Sequence, residues 1–360
     1  MIKYLVDHGE DINKKNKWGM TPLFNACKNE NEAMIKCLVE FGADINKENS
    51  YGETPLFEAC RYGKEVIVKY LVEKGANINK ENSYGETPLF EACRYGKEVI
   101  MKYLVEHGAN INKINNYGQT PLYIAYRMKK QIIVRYLIEH GADINKENSN
   151  GETSLLIACK IKNEEIVKCL VEFGADINKE NSNGETPLFE ACRNGKEVIV
   201  KYLVEHRANI NKERWNGKTP LFEACENGSE PLVKYLVENA AFISMTNKHG
   251  ETPLFIACKK GTEALIKCLF EHGADIHKEN GNGETPLFVA CKYGNEASVK
   301  YLVEHGANIN LVNKDGKTPL FYACLKRNKA IVYYLIEYGA IINACLNENG
   351  VILEYLFETI

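Results

Sequence analysis

Hydrophobic positions in this chain recur on two superimposed periods. Within short segments they follow the i, i+3, i+4 spacing of an amphipathic helix, as at Leu56, Ala59 and Cys60 and again at Val66, Ile67, Tyr70 and Leu71. Between segments the whole pattern returns every 33 residues. The stretch that marks this longer period is G-E-T-P-L-F-E-A-C at Gly52–Cys60. Its threonine falls without a slip at Thr21, Thr54, Thr87, Thr120, Thr153, Thr186, Thr219, Thr252, Thr285 and Thr318. Leucine stands two places on and glycine two places before in all ten copies. Proline follows in nine, Ser154 being the exception, and only Pro231 lies elsewhere. The pattern implies one structural unit stacked ten times.

The unit reads as helix, turn, helix and hairpin-like loop. Thr54 is a good N-cap, its hydroxyl placed to accept from a free N–H of the first turn. Pro55 suits the first helical position, and Gly63 the left-handed stop. A second helix is predicted from about Glu65 to Gly75, with Val66, Ile67, Tyr70 and Leu71 as its apolar stripe. An extended run follows at Ala76–Asn79, and Asn82-Ser83-Tyr84-Gly85 suits a type I turn.

These residues resemble the ankyrin repeat family. The resemblance rests on Thr54-Pro55-Leu56, Ala59, Gly63 and Gly75-Ala76-Asn77-Ile78-Asn79, together with the period, and it covers nearly the whole chain. It implies an all-α, curved ankyrin-repeat solenoid. One departure is systematic: where the family usually has histidine after T-P-L, this chain has Phe24, Phe57, Phe90, Tyr123, Leu156, Phe189, Phe222, Phe255, Phe288 and Phe321. An aromatic contact between neighbouring repeats is expected in place of a polar one. The expected organisation is a single array over 1–360: a half repeat at 1–16, ten full repeats at 17–346, and a degenerate cap or truncated repeat at 347–360. The chain opens at the second helix of a unit, which points to a piece of a longer array or a start assigned too late.

Charge and composition narrow the class. The chain is 45% hydrophobic with a net charge of −3, which gives no pull toward nucleic acid or anionic membrane. No apolar run reaches the roughly 18 residues of a spanning helix. Of 13 cysteines, nine (Cys27, Cys60, Cys93, Cys159, Cys192, Cys225, Cys258, Cys291 and Cys324) share one helical position, with Tyr126 in the missing slot. Equivalent residues one repeat apart lie about 8–10 Å apart, too far for a disulfide. The thiols read as small core residues in a reducing compartment, cytoplasm or nucleus.

Repeats two and three, Lys47–Asn79 and Lys80–Asn112, are nearly identical, so departures elsewhere carry the information. Lys129 and Lys162 replace a helix-stopping glycine. Arg207 and Ala240 replace another, where altered stacking is expected. Arg214-Trp215 marks the loop of repeat seven, and Pro231 starts its second helix.

No phosphate-binding loop, nucleophile elbow, paired-cysteine or zinc motif is present, so no catalytic residue, cofactor or metal is assigned. His8, His107, His140, His206, His272 and His305 end second helices, where an imidazolium meets the negative end of the dipole. Glu58 and Arg61, Glu91 and Arg94, and Glu190 and Arg193 are spaced as exposed i,i+3 pairs. The run Leu38–Asn46 resembles the acceptor pattern for asparagine hydroxylation in some ankyrin repeats; a loop-stabilising asparagine is the favoured reading.

What remains is a surface. The resemblance implies that partners meet the concave face and loop tips. The loop column runs Trp18, Tyr51, Tyr84, Tyr117, then Asn150 and Asn183. The helix column runs Asn29, Tyr62, Tyr95, Met128, Ile161, then Asn194. Both turn from apolar to polar near repeat five. Beside them runs a basic column, Arg61, Arg94, Arg127, Lys160 and Arg193. The candidate partner-binding set is Trp18, Tyr51, Arg61, Tyr62, Tyr84, Arg94, Tyr95, Tyr117, Arg127, Met128 and Ile161, facing an extended or acidic-apolar protein segment. The function expected is non-catalytic protein recognition by a monomeric scaffold or adaptor, with no nucleic acid and no membrane insertion. Its alternatives are the substrate-targeting arm of a larger enzyme, such as a kinase or ubiquitin ligase, and an elastic spacer.

Overall fold

The computed structural model describes Tyr4 and residues 8–342. The cap assigned to 347–360 and most of the first half helix therefore lie outside the described residues. Within them are 20 helices and no strand. The helices come as ten pairs, from α1 (Pro22–Lys28) and α2 (Glu32–Glu40) to α19 (Pro319–Leu325) and α20 (Lys329–Glu337). The chain divides into two compact units, one of Met1–Ala158 with Asn163–Asp176, the other of Cys159–Lys162 with Ile177–Ile360. In the first unit, first helices pack on first helices: α1 on α3 (Pro55–Tyr62), α3 on α5 (Pro88–Tyr95), and α5 on α7 (Pro121–Arg127). The second unit repeats this from Pro187–Arg193 to Pro319–Leu325.

Burial explains the order of the elements. In α3, Leu56, Phe57, Ala59 and Cys60 are all buried, because a first helix is covered on both sides by its neighbours. Each buried Leu or Phe is worth about 1.5–3 kcal/mol over leaving it exposed. The second helix α4 (Glu65–Glu73) is seated by Ile67, Val68 and Leu71. Val66, assigned to the apolar stripe on spacing, is 54% exposed, and Tyr70 is half-buried. The stripe is narrower than the pattern suggests because second helices are covered on one face. The 12 described cysteines are free. Burial pushes the Cys27 thiol up to about 12 and those of Cys60, Cys93, Cys159, Cys192, Cys225, Cys258 and Cys291 well above the usual range, so these are inert core groups. Tyr126, in the missing slot, is fully buried.

The threonine cap departs from expectation. Thr120, Thr153 and Thr318 accept from the N–H three residues on. The hydroxyls of Thr21, Thr54, Thr87, Thr186, Thr219, Thr252 and Thr285 are buried without a partner. In six of these the N–H three residues on goes instead to the threonine's own carbonyl, at 2.9 Å for Phe57 to Thr54. The tight first turn aims this N–H at the backbone carbonyl and leaves the hydroxyl unpaired.

The loops hold the repeats in step. Ile78-Asn79 is a turn rather than an extended run, closed by Lys80 N–H to the Asn77 carbonyl at 3.2 Å. Asn46 then clamps the next repeat: Nδ2 donates to the Gly75 carbonyl at 3.1 Å, and Oδ1 accepts from Asn77 N–H at 2.8 Å. This supports the loop-stabilising reading of Asn46. The turn forms as read, with Gly85 N–H to the Asn82 carbonyl at 2.9 Å and Asn82 Oδ1 accepting from Tyr84 and Glu86. His107 ends its helix with Nδ1 donating to the Tyr103 carbonyl at 2.8 Å and its ring stacked on Tyr103; five other histidines repeat the hydrogen bond.

Loss of glycine does not disturb this backbone. Arg207 and Ala240 keep the left-handed conformation, φ 70° and 67°, and Ala208 N–H still reaches the Leu203 carbonyl at 2.9 Å. Lys129, Lys162, Glu30 and Arg327 do the same at the first-helix stop. The local hydrogen bonds are strong enough to impose on side-chain-bearing residues a conformation that costs them about 1–2 kcal/mol each. Arg207→Gly and Ala240→Gly should each therefore raise stability by about 1 kcal/mol in urea unfolding. Thr54→Val, which removes an unpartnered buried hydroxyl, should leave stability unchanged or raise it, whereas Thr120→Val should cost about 1 kcal/mol. Equal effects of the two valine variants would contradict this account of the first turn.

Candidate recognition surface

The loop tips are built by close approach of backbones. Tyr51 and Tyr84 occupy the third place of their turns, where the side chain points to solvent and the carbonyl is free. That carbonyl accepts from the next loop, Ser83 N–H to Tyr51 at 2.8 Å and Asn116 N–H to Tyr84 at 2.9 Å. The glycine that follows must be glycine: a Cβ on Gly52, at φ 72°, would lie 3.1 Å from the Ser83 nitrogen. Trp18, Tyr51, Tyr84 and Tyr117 are thereby held side by side in the first unit, each exposed by 44–59%. Tyr62, Tyr95 and Met128 form a second exposed row at the ends of the first helices. Ile161 is also exposed but belongs to the second unit.

The arginines behave differently from the exposed pairs that their spacing suggested. Arg61 gives Nη1 to Glu58 at 2.8 Å, Nη2 to Glu53 at 2.7 Å, and Nε to Glu91 of the following repeat at 2.8 Å. Glu58 and Glu91 are buried, and Arg61 is half-buried. Arg94 gives Nη1 to Glu91, and Nη2 to both oxygens of Glu86 at 2.8 and 2.9 Å. In the second unit Arg193 repeats the arrangement with Glu190, Glu185 and Glu223 at 2.6, 2.6 and 3.0 Å. Each guanidinium nitrogen of Arg61 already donates to a carboxylate of its own chain, leaving one N–H on each Nη. Arg127 is exposed and makes no ion pair among the described residues.

Electrostatics within a column are unequal. Burial pushes the Glu58 and Glu190 carboxyls above their usual range, against the pull of Arg61 and Arg193. Burial opposes ionisation of Glu185 too. There, hydrogen bonds from Arg193 and Asn181 and the charges of Arg193 and Arg214 outweigh it and hold the carboxyl below its usual range.

Trp215 was noted in the sequence as a departure but not as a site residue. It is 69% exposed, with the Arg214 guanidinium and the Lys248 ammonium each 5.8 Å from its ring centroid. The signal available was that the chain has only two tryptophans, the other being Trp18 in the loop column.

Comparison with known proteins agrees with the repeat architecture. A family model described as ankyrin repeats (3 copies) matches residues 1–82, 77–148, 143–214, 207–280 and 257–345. No curated protein matches the chain. Among solved structures, the crystal structure of the ankyrin repeat domain of Bcl-3, described as a unique member of the IkappaB protein family, is 27% identical. The match covers 61% of this chain and 99% of that one, with a TM-score of 0.56.

The unequal carboxylates give a pH test. A depressed acid contributes stability above its unfolded pKa and loses it as pH falls through its folded one; a raised acid does the opposite. Glu185→Gln should cost about 1–2 kcal/mol at neutral pH, screening at the Arg193 end limiting the loss. The difference from the parent should shrink as pH falls below the ordinary value of 4.5. Glu190→Gln should cost nothing at neutral pH. Urea unfolding of both variants between pH 3 and 7 decides, and a larger loss for Glu190→Gln would reverse the assignment.

Proposed function

Because the chain belongs to the ankyrin repeat family, we propose that it recognises a protein partner through the exposed rows of its first unit, acting as a non-catalytic scaffold or adaptor. Ankyrin repeats are in general protein-interaction architectures, and the likeness to the Bcl-3 domain is consistent with that role. The observation that carries the reading is the double row of exposed aromatic and apolar side chains: Trp18, Tyr51, Tyr84 and Tyr117 on the loops, Tyr62, Tyr95 and Met128 on the helix ends. A surface of this kind is costly to keep bare, and its residue types are those enriched in interface cores. Tyrosine also brings large contact area at little loss of side-chain freedom.

The basic column adds less than its sequence suggests, since the Arg61 charge is already met by three carboxylates of its own chain. Among the described residues no helix is long and apolar enough to cross a membrane. The buried free thiols fit a reducing compartment, and we place the protein in the cytoplasm on that ground.

The test is capture from native extract by the parent chain and by a variant with alanine at Tyr51, Tyr62, Tyr84 and Tyr95. All four side chains are exposed, so the variant should unfold at the same urea concentration as the parent. A protein retained by the parent and lost at least tenfold by the variant is the expected result. Equal capture by both would remove the aromatic rows from the binding surface, and no specific capture by either would favour a spacer.

A further inference from the structure

The Arg–Glu columns contain a vacancy. In repeats two and three the Glu91 carboxylate lies between two guanidiniums, Oε2 accepting from Arg61 Nε and Oε1 from Arg94 Nη1. In the second unit Glu223 also accepts from two guanidiniums, Arg193 of the preceding repeat and, at 3.5 Å, Arg214 of its own loop. One repeat beyond Glu91 the equivalent residue is Ile124, which is buried and has no oxygen to offer. Arg94 Nε, whose counterparts in Arg61 and Arg193 each hold the next repeat's carboxylate, has no acceptor among the described residues. Arg127 has lost all three of its column's carboxylates: Gln119 stands for Glu86, Ile124 for Glu91, and Ile157 for the carboxylate of the following repeat.

The space is real. A cleft of about 450 Å³ is lined by Glu86, Arg94, Tyr117, Gln119, Ile124, Arg127 and Met128, all in the first unit. Glu86 does not fill the vacancy, because both its oxygens hold Arg94 Nη2 and Oε1 also accepts from Asn115. The corresponding cleft of the second unit, between Glu223 and Ile256, lacks this chemistry. Arg193 Nε is paired there, Glu226 stands where an arginine would and binds Lys218, and the remaining cations, Lys259 and Lys260, face two carboxylates already in the cleft, Glu223 and Glu226.

We propose that this cleft receives an aspartate or glutamate side chain of the protein partner, which takes the position that Glu91 holds one repeat earlier, between Arg94 Nε and Arg127. Ile124, Met128 and Tyr117 form an apolar floor and wall beside the two cations, so the residue next to the acid is apolar. A carboxylate accepting from two guanidiniums in a half-buried cleft makes charge-assisted hydrogen bonds, the stronger kind. The proposal rests on the recognition reading above and names the chemistry of one part of that surface.

The decisive variant is Ile124→Glu, which supplies the missing carboxylate from within, as repeats two, three, six and seven do. Random dodecapeptides displayed on phage, selected on the full chain and then synthesised with amidated C-termini, serve as the probe. Amidation leaves side chains as the only carboxylates. Selected peptides should carry Asp or Glu beside an apolar residue. Their affinity should fall at least tenfold with Ile124→Glu, with Arg127→Ala, and with Asn or Gln in place of the peptide's acid. Ile124→Glu should stay folded but unfold at a somewhat lower urea concentration than the parent, since it buries a carboxylate where isoleucine packs. If it fails to fold, Arg127→Ala and the neutral peptides still decide. Peptides without an acid, loss of binding on amidation, or unchanged affinity for both variants would overturn the carboxylate site. Should such peptides still be lost by the four-tyrosine variant, the recognition reading stands and this proposal alone falls. Should that variant bind them normally, or no peptide be selected, both fall.

Discussion

A unit of 33 residues has too little apolar surface to bury on itself, so each ankyrin repeat must lend both sides of its first helix to its neighbours. Everything else follows from that demand. Leu56, Phe57, Ala59 and Cys60 are buried together because α3 has a helix on either side, whereas α4 is covered on one face and leaves Val66 in water. The same packing fixes the step between repeats, and Asn46 locks it through the loop. A side chain then always meets its own equivalents above and below. Columns, rather than individual residues, become the units of energy and of chemistry.

This gives the buried glutamates their meaning. A carboxylate at the Glu58 or Glu91 position is costly to desolvate, and the raised pKa of Glu58 shows that burial prevails over Arg61. Isoleucine at Ile124 and Ile157 stands at the same helix position without that cost, and it does not reach where the carboxylate oxygens would lie. The ionic columns of repeats two and three and of six and seven are therefore not the cheapest way to stack. They hold Arg61, Arg94 and Arg193 in fixed poses beneath the exposed rows, and they leave an uncompensated cation where a column stops.

Much of this was legible in the sequence. The period, the helix pairs, the cysteine core, the helix-ending histidines and the turn glycines all rest on short-range rules that a repeat states ten times over. Exposure of the tyrosine rows could be read because the resemblance assigns their positions to loop tips and first-helix ends. What escaped lies between repeats. Glu58 and Arg61 look like an ordinary i,i+3 surface pair until Arg61 is seen to reach Glu91, 30 residues away. Thr54 looks like a cap until its hydroxyl is found to compete with its own carbonyl for a single N–H. Arg207 and Ala240 look like disruptions because side-chain preference argues against them, yet the backbone hydrogen bonds that close the turn impose the glycine conformation all the same. In each case the competing force came from a neighbouring repeat or from backbone geometry, and neither is written in local spacing.

Repetition also poses a problem for recognition that its exceptions resolve. Repeats two and three present the same loop, the same tyrosines and the same arginine, so a partner reading only those features could settle in two positions one repeat apart. Contact area alone does not discriminate between such registers. Specificity needs a feature that occurs once and that penalises the shifted alternative. The change from Glu91 to Ile124 is such a feature, because a carboxylate shifted one repeat back would meet Glu91 already seated between Arg61 and Arg94. Like charges would be brought together where, one step on, opposite charges meet. The identical repeats thus supply area and rigidity, and the point where the pattern breaks supplies the register.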